Sequence, residues 1–386
     1  MISVAPTLSF SALAGILAFG TTPADDQRLA RSWNPDNQPV IWYSRATWGL
    51  EAIARWRRAQ LSAVSPHIWI PDYFCNEPLG QLRDLGASIV FYPIDEAMEP
   101  DWAACNDLAQ SVPPGLFVLV HYFGRVANGA AAKEFCNYHR ALLIEDATHV
   151  LQPGNGVGAS GDFAIYSPYK HLAIPDGGIL IVADHAIADQ LRAAVPQHEP
   201  ATLAAYKWIL RKIVRMIVPA RLLHSVLRVG QAHFHDDPAP RTAMPGALSW
   251  IARRMIPRSE PSLPLIAERR RAAWKALWSI TWPDGLRPFF GEGDAGPAPY
   301  RFVLDCRDSA TAARFFDHLL AAGCPAESWP DLPPEVLDDP RRHPRPADLR
   351  YRLIFLPVHQ TIDIPELVAA CRVACRRYVA SPAVHS

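Results

Sequence analysis

The sequence predicts an α/β protein in which a large domain on a mostly parallel sheet precedes a smaller C-terminal α/β domain. Short apolar runs of strand length alternate with helix-like or polar segments through the first half of the chain. A second, shorter set of strand and helix patterns follows a proline-rich interval. The size agrees, since 386 residues, 49% of them hydrophobic, can bury a core for one large domain and a smaller one. We place the large domain at 1–260, with an enlarged helical segment at about 185–240, and the small domain at 261–386.

Taken in order, Pro39 to Trp56 passes from an apolar segment into an amphipathic helix, with Ser44 to Thr47 at the junction. A helix N-terminus there offers backbone N–H groups and a positive dipole end to a phosphate. Four strands follow, at His67-Ile-Trp-Ile-Pro, Ala87-Ser-Ile-Val-Phe-Tyr, Leu116-Phe-Val-Leu-Val-His and Ala141-Leu-Leu-Ile. Phe163 to Tyr166 and Ile179 to Val182 supply two more. The proline-rich stretches 236–245 and 257–264 read as connectors, and a helix begins near Leu265. Strands at Tyr300-Arg-Phe-Val-Leu-Asp-Cys and Arg352-Leu-Ile-Phe-Leu-Pro, then a helix from Ile364, make the small domain, whose proline-rich loop at about 327–348 borders the cleft.

Composition narrows the function. Thirty-eight basic residues balance thirty-eight acidic ones, so no global field draws the chain to nucleic acid. Seven cysteines, spread without metal-ligand spacing, suit a reducing cytoplasm. Residues 1–20 are apolar but lack a basic leader and carry an early proline, which argues against a secretory signal. Within 199–230, the pattern around Trp208-Ile-Leu-Arg-Lys-Ile-Val-Arg is a basic amphipathic helix broken at Pro219. It reads as a helix packed on this subunit or its partner, with peripheral membrane contact as the alternative.

The chemistry gathers around Lys170. It lies in Ser167-Pro168-Tyr169-Lys170, with Asp146-Ala147-Thr148-His149 at the end of the fourth strand and Gly177-Gly178 just beyond. Open α/β sheets place ligands at such strand ends. The order of these pieces can hold pyridoxal 5'-phosphate, with the lysine as Schiff base, the serine near the phosphate and the aspartate facing the pyridine nitrogen. Each residue also has a plain structural reading: a loop lysine, a helix-cap aspartate, a satisfied buried His149, and Thr47 at an ordinary helix start. Ser44 and Arg45 can assist at the helix start. His121 is either near the site or a buried hydrogen-bonding histidine, and His359 is either near the site or a turn residue.

Across most of its length the chain resembles the DegT/DnrJ/EryC1/StrS sugar aminotransferases of pyridoxal-phosphate fold type I. The resemblance is carried by Ile2-Ser-Val-Ala-Pro-Thr-Leu, Pro71-Asp-Tyr-Phe, Leu85-Gly-Ala-Ser-Ile-Val-Phe-Tyr-Pro-Ile-Asp, Val120-His-Tyr-Phe-Gly-Arg, Ile144-Glu-Asp-Ala-Thr-His and Leu356-Pro-Val-His-Gln-Thr-Ile. It implies a homodimer in which Lys170 carries the cofactor, Asp146 partners the ring nitrogen and His149 lies beside the ring hydroxyl. Ser167, Ala46 and Thr47 then hold the phosphate. An aromatic near Phe74 stacks on the ring, with Cys75 at the family's usual aromatic position.

The resemblance further implies transfer of an amino group from an amino acid such as glutamate to a keto-sugar, nucleotide-linked, in glycan or natural-product synthesis. The chain departs from the family in the short Ser167-x-x-Lys170 spacing, in lacking the asparagine-x-arginine motif around Ala243 to Trp250, and in the enlarged 185–240 interval. These departures bear on substrate more than on cofactor. They leave open elimination, decarboxylation or carbon-carbon bond chemistry on the same cofactor. A non-catalytic relative is a further alternative, against which the retention of Lys170, Asp146 and Ser167 counts.

Overall fold

The computed structural model describes residues 2–8, 25–61, 66–194, 202–217 and 246–381. The large sheet contains β1 (Val40–Tyr43), β2 (His67–Pro71), β3 (Ser88–Tyr92), β4 (Leu116–Val120), β5 (Leu142–Ala147), β6 (Phe163–Tyr166) and β7 (Gly178–Val182), in the order β1-β7-β6-β5-β4-β2-β3. From β3 to β6 neighbouring strands run parallel, whereas β7 is antiparallel to both β6 and β1. The reversal has a simple cause. The link 167–177 is shorter than the dozen or so residues that a parallel crossover needs, so the chain turns back and leaves Lys170 in the turn.

The helices of this half are α1 (Asp26–Ala30), α2 (Thr47–Gln60), α3 (Gly80–Asp84), α4 (Trp102–Ser111), α5 (Gly129–His139), α6 (His185–Ala194), α7 (Thr202–Ile217) and α8 (Trp250–Ser259). Strand side chains alternate between two buried faces. Phe163 and Ile165 of β6 join the cluster that includes Trp56 of α2, while Ala164 and Tyr166 join the one that includes Trp33, Leu248 and Ile251. Burial on both sides explains why these strands read as continuous apolar runs.

The smaller half contains α9 (Leu263–Trp278), β8 (Leu286–Pro288), β9 (Arg301–Cys306), α10 (Ser309–Ala321), α11 (Pro334–Leu337), α12 (Pro344–Arg352), β10 (Leu353–Pro357) and α13 (Ile364–Ala380). Its antiparallel sheet has the order β10-β9-β8. Phe302, Leu304 and Phe315 belong to the same apolar cluster as Trp69 and Phe117 of the large sheet. The two halves therefore share a core.

One expectation fails here. Residues 257–264 form no connector: Pro257 lies near the end of α8, a short 3-10 turn follows at Glu260–Ser262, and Pro264 opens α9. Proline is tolerated in a first helical turn because its missing N–H has no intrahelical acceptor there. Pro334 and Pro344 likewise begin α11 and α12 inside the loop read at 327–348. The 236–245 stretch, Pro219, the part of the basic helix beyond Ile217 and most of the apolar N-terminal segment lie outside the described residues.

Candidate active site

Two adjacent carboxylates end β5, and strand alternation sends them to opposite sides. Glu145 is buried away from the cavity, where it accepts from the amides of Gly158 at 2.7 Å, Ser160 at 2.8 Å and Gly161 at 2.6 Å. His121 Nε2 lies 2.9 Å from the same carboxylate. Because His121 Nδ1 accepts from the Ala127 amide at 3.0 Å, Nε2 carries the hydrogen and donates to Glu145. Burial pushes Glu145 up, but His121 and the surrounding amides outweigh it and hold the carboxyl below its usual value. This locks the glycine-rich loop against β5. His121 is thus a buried hydrogen-bonding residue.

Asp146, by contrast, faces the cavity, with Oδ1 accepting from the Thr148 amide at 3.0 Å. Lys170 enters from the β6–β7 turn, and its Nζ donates to Thr148 Oγ1 at 3.3 Å. Burial alone lowers the affinity of the Lys170 amine for a proton. Electrostatic coupling to the acidic groups around it, Tyr169 first, then Tyr300, Asp146 and Cys75, more than offsets it and leaves the group above its usual value.

The third wall is the N-terminus of α2. The first amides of a helix lack intrahelical acceptors and attract anions, and Ala46 and Thr47 bring them to the cavity. Thr47 Oγ1 lies 3.3 Å from both Pro78 O and Gln81 Oε1, so backbone N–H groups are the donors already aimed for an anion. Gly178 permits this placement. A Cβ there would come within 2.4 Å of Ala46 N and of Arg45 C. The turn is further held by Ser44 N donating to Gly246 O at 2.8 Å and Gly177 N donating to Ser44 O at 2.9 Å. Asp176 Oδ1 accepts from the Ser249 amide at 2.9 Å, which fixes the start of α8 beside the same turn.

His149 follows Asp146 and stacks on Tyr300, with centroids 4.4 Å apart and planes at 15°. Its Nδ1 accepts from the Phe123 amide at 3.3 Å. Burial, aided by the charge of Lys170, holds His149 well below its usual value, so the neutral ring carries its hydrogen on Nε2. The small half closes the site through Trp329, which stacks on Tyr73 at 4.4 Å. Asp331 Oδ1 accepts from the Asn76 amide at 2.9 Å, and His343 Nδ1 lies 3.0 Å from Asp72 Oδ2. These bonds strap the segment 329–343 to the loop carrying Phe74 and Cys75.

Lys170, Asp146, His149, Ser167, Ala46, Thr47 and Phe74 all line one cavity of about 120 Å³. Arg45, Cys75, Glu77, Thr148, Tyr169 and Trp329 share its lining. Arg45 lies 4.0 Å over the Tyr169 ring and donates to Pro175 O at 3.2 Å. Burial raises Glu77 above the usual carboxylate value against the pull of Arg45 and Lys170. Nothing in the sequence marked Glu77, and the one hint of Trp329 was its place in a proline-rich loop. His359 sits apart. It is buried, with Nε2 2.8 Å from Ser3 O and its pKa lowered to about 3, first by burial, and it ties the N-terminal segment to the small half.

An amine, a carboxylate and a helix N-terminus around one cavity match the needs of a group with an aldehyde, a basic ring nitrogen and a phosphate. Residues 81–198 match the profile of the DegT/DnrJ/EryC1/StrS aminotransferase family. A curated pleiotropic regulatory protein of Geobacillus stearothermophilus is 31% identical over 119 residues, a match covering 29% of this chain and 32% of that protein's length. Among solved structures, the Helicobacter pylori aminotransferase PseC, involved in the biosynthesis of pseudoaminic acid, superposes with a TM-score of 0.69 at 13% identity, over 98% of this chain and 99% of that one. DesI, solved in the presence of its TDP-sugar product, has a TM-score of 0.65 at 19% identity, over 92% of this chain and 85% of that one. At such identities the superpositions speak for the fold. The likeness to the DegT/DnrJ/EryC1/StrS aminotransferase family is carried by 81–198, the stretch that holds Asp146, Ser167 and Lys170.

Proposed function

We propose that this chain is a pyridoxal-phosphate-dependent aminotransferase that moves an amino group from an amino acid to a nucleotide-linked keto-sugar. The observation that carries the reading is the convergence of Lys170, Asp146 and the α2 N-terminus on one cavity. The bound cofactor supplies an electrophilic carbon for amines and an electron sink for the charge left when the substrate's α-proton departs.

The chain's own groups do the rest. Lys170 would anchor the cofactor through its amine and, when free, would carry the proton from the substrate's α-carbon. Asp146, held by the Thr148 amide, would keep a proton on the ring nitrogen. His149 would offer its Nε2–H to the ring hydroxyl, and Ser167 with the Ala46 and Thr47 amides would hold the phosphate. Phe74 and Trp329 line the cavity, where Phe74 would pack against the ring and Trp329 would keep water from the side facing the small half. The sugar assignment is supported by DesI, with its TDP-sugar product, and by PseC. The same reading includes a homodimer, which sedimentation velocity tests, and a peripheral membrane contact through 199–230.

The test is the absorbance of the purified protein with added pyridoxal phosphate, compared with Lys170→Ala and followed by titration with glutamate and other amino acids. We expect a lysine-dependent visible band that glutamate bleaches. A lysine-dependent band that no amino donor changes would point to another reaction on the same cofactor. Absence of any lysine-dependent band would overturn the assignment.

A further inference from the structure

α7 buries one side and, among the described residues, leaves the other exposed. Ala205, Trp208 and Ile209 pack on the cluster formed by Leu248, Ile251 and Met255. On the opposite side Leu203, Tyr206 and Leu210 are 68%, 52% and 62% exposed, with Val214 at 37%. Their spacing of three, four and four residues makes a single stripe along the helix. Such a stripe is costly in water, and Lys207 and Arg211 stand exposed along its edge.

Charge says what the stripe faces. Neither α7 nor α8, which packs beside it, contains an aspartate or glutamate, in a chain whose acidic and basic residues are equal in number. Tyr206 and Trp250 bring two amphipathic rings together at 5.9 Å, and Arg254 lies 5.1 Å over Trp250. Arg253 is paired with Asp26 at 2.7 Å, while Arg258 remains exposed. A second copy docking face to face would set basic residues against basic residues. The segment 218–245 carries Arg221, Arg228 and Arg241 against Asp236 and Asp237, so it too brings no surplus of acid.

We propose that this face of α7 docks on an anionic lipid surface, with Leu203, Tyr206, Leu210 and Val214 in the headgroup–acyl boundary and Lys207 and Arg211 on lipid phosphates. Leucine and tyrosine gain by leaving water at that depth, while lysine and arginine reach back to the headgroups. No helix among the described residues is long and apolar enough to cross a membrane, and a 16-residue amphipathic helix suits the interface plane. The inference deepens the membrane contact already proposed for 199–230, giving it its residues and lipid charge, and stands whether or not the catalytic part of that reading does.

The full chain is mixed with vesicles of phosphatidylglycerol and phosphatidylcholine, or of phosphatidylcholine alone, and floated on a density gradient. Wild type should float with the anionic vesicles and much less with the neutral ones. Lys207→Glu/Arg211→Glu should weaken binding roughly tenfold or more, since each basic residue near the surface contributes about fivefold. Leu203→Asp/Leu210→Asp should abolish it. None of these residues lines the cavity, so an unchanged thermal midpoint and unchanged cofactor absorbance show that the variants are folded. Failure of the wild type to float, or flotation indifferent to lipid charge and to both variants, overturns the proposal. So does a dimer that Leu203→Asp/Leu210→Asp splits in sedimentation velocity while no vesicle binding is found, because the occupant is then a second copy.

Discussion

Gly178→Ala tests the geometry of the anion cradle with a single methyl group. The added Cβ would lie 2.4 Å from Ala46 N, 2.4 Å from Arg45 C and 2.6 Å from Arg45 O, whereas ordinary contact begins at 3.4 Å. All three atoms are backbone, so no rotamer change relieves the clash. The start of α2 must retreat by about 1 Å, a displacement that can cost on the order of 100-fold where positioning matters. Losing one charge-assisted hydrogen bond to the phosphate is worth about 1.5–3 kcal/mol, or roughly 10- to 100-fold in affinity. Overpacking should also cost about 1–3 kcal/mol in stability.

The assay is titration of apoprotein with pyridoxal phosphate, read by absorbance, alongside a denaturant midpoint. Gly154→Ala is the control, because a Cβ there meets nothing within 4 Å. Gly178→Ala should bind the cofactor at least tenfold more weakly than Gly154→Ala. Equal affinities would show that the α2 N-terminus does not hold the phosphate.

Two further outcomes concern titration. Lys170 must lose a proton to capture the cofactor, and its folded value lies above 10.5, so the capture rate should climb with pH from 7 to 10 without a plateau. A plateau near neutrality, followed by rapid-mixing absorbance, would contradict the raised value. Glu145→Gln leaves buried amides facing a weaker acceptor and should lower stability by about 3 kcal/mol in a denaturant titration. The folded Glu145 value is depressed, so its stabilisation is present above 4.5 and fades as pH falls below it. The gap between wild type and Glu145→Gln should therefore narrow below that pH, and a constant gap would mean that the charge is not what the amides hold.

The strands flanking the site were readable because β2, β4, β5, β6 and β7 are buried on both faces and so leave short unbroken apolar runs. Proline misled at 257–264, where its position within a helical turn, not its presence, decides its effect. β8 escaped notice because three residues carry no period. Lys170 and Asp146 could be paired on sequence because each sits at the end of a recognisable strand or in the turn after one. Trp329, Asp331 and His343 could not be assigned to the site, since they reach it from a distant part of the chain through contacts that no spacing records.

The chain's local patterns were enough to specify an α/β sheet, its strand ends and a lysine–aspartate pair, because period, turn length and residue chemistry act over a few neighbours. Local pattern is silent on direction and occupancy. Glu145 and Asp146 are chemically alike and adjacent, yet one holds a loop and the other faces the cavity, a choice made by strand register and by the packing of His121. The sequence likewise marks α7 as amphipathic but leaves open what its apolar residues face; among the described residues, the packing of α7 against α8 decides that Leu203, Tyr206 and Leu210 are the ones left exposed.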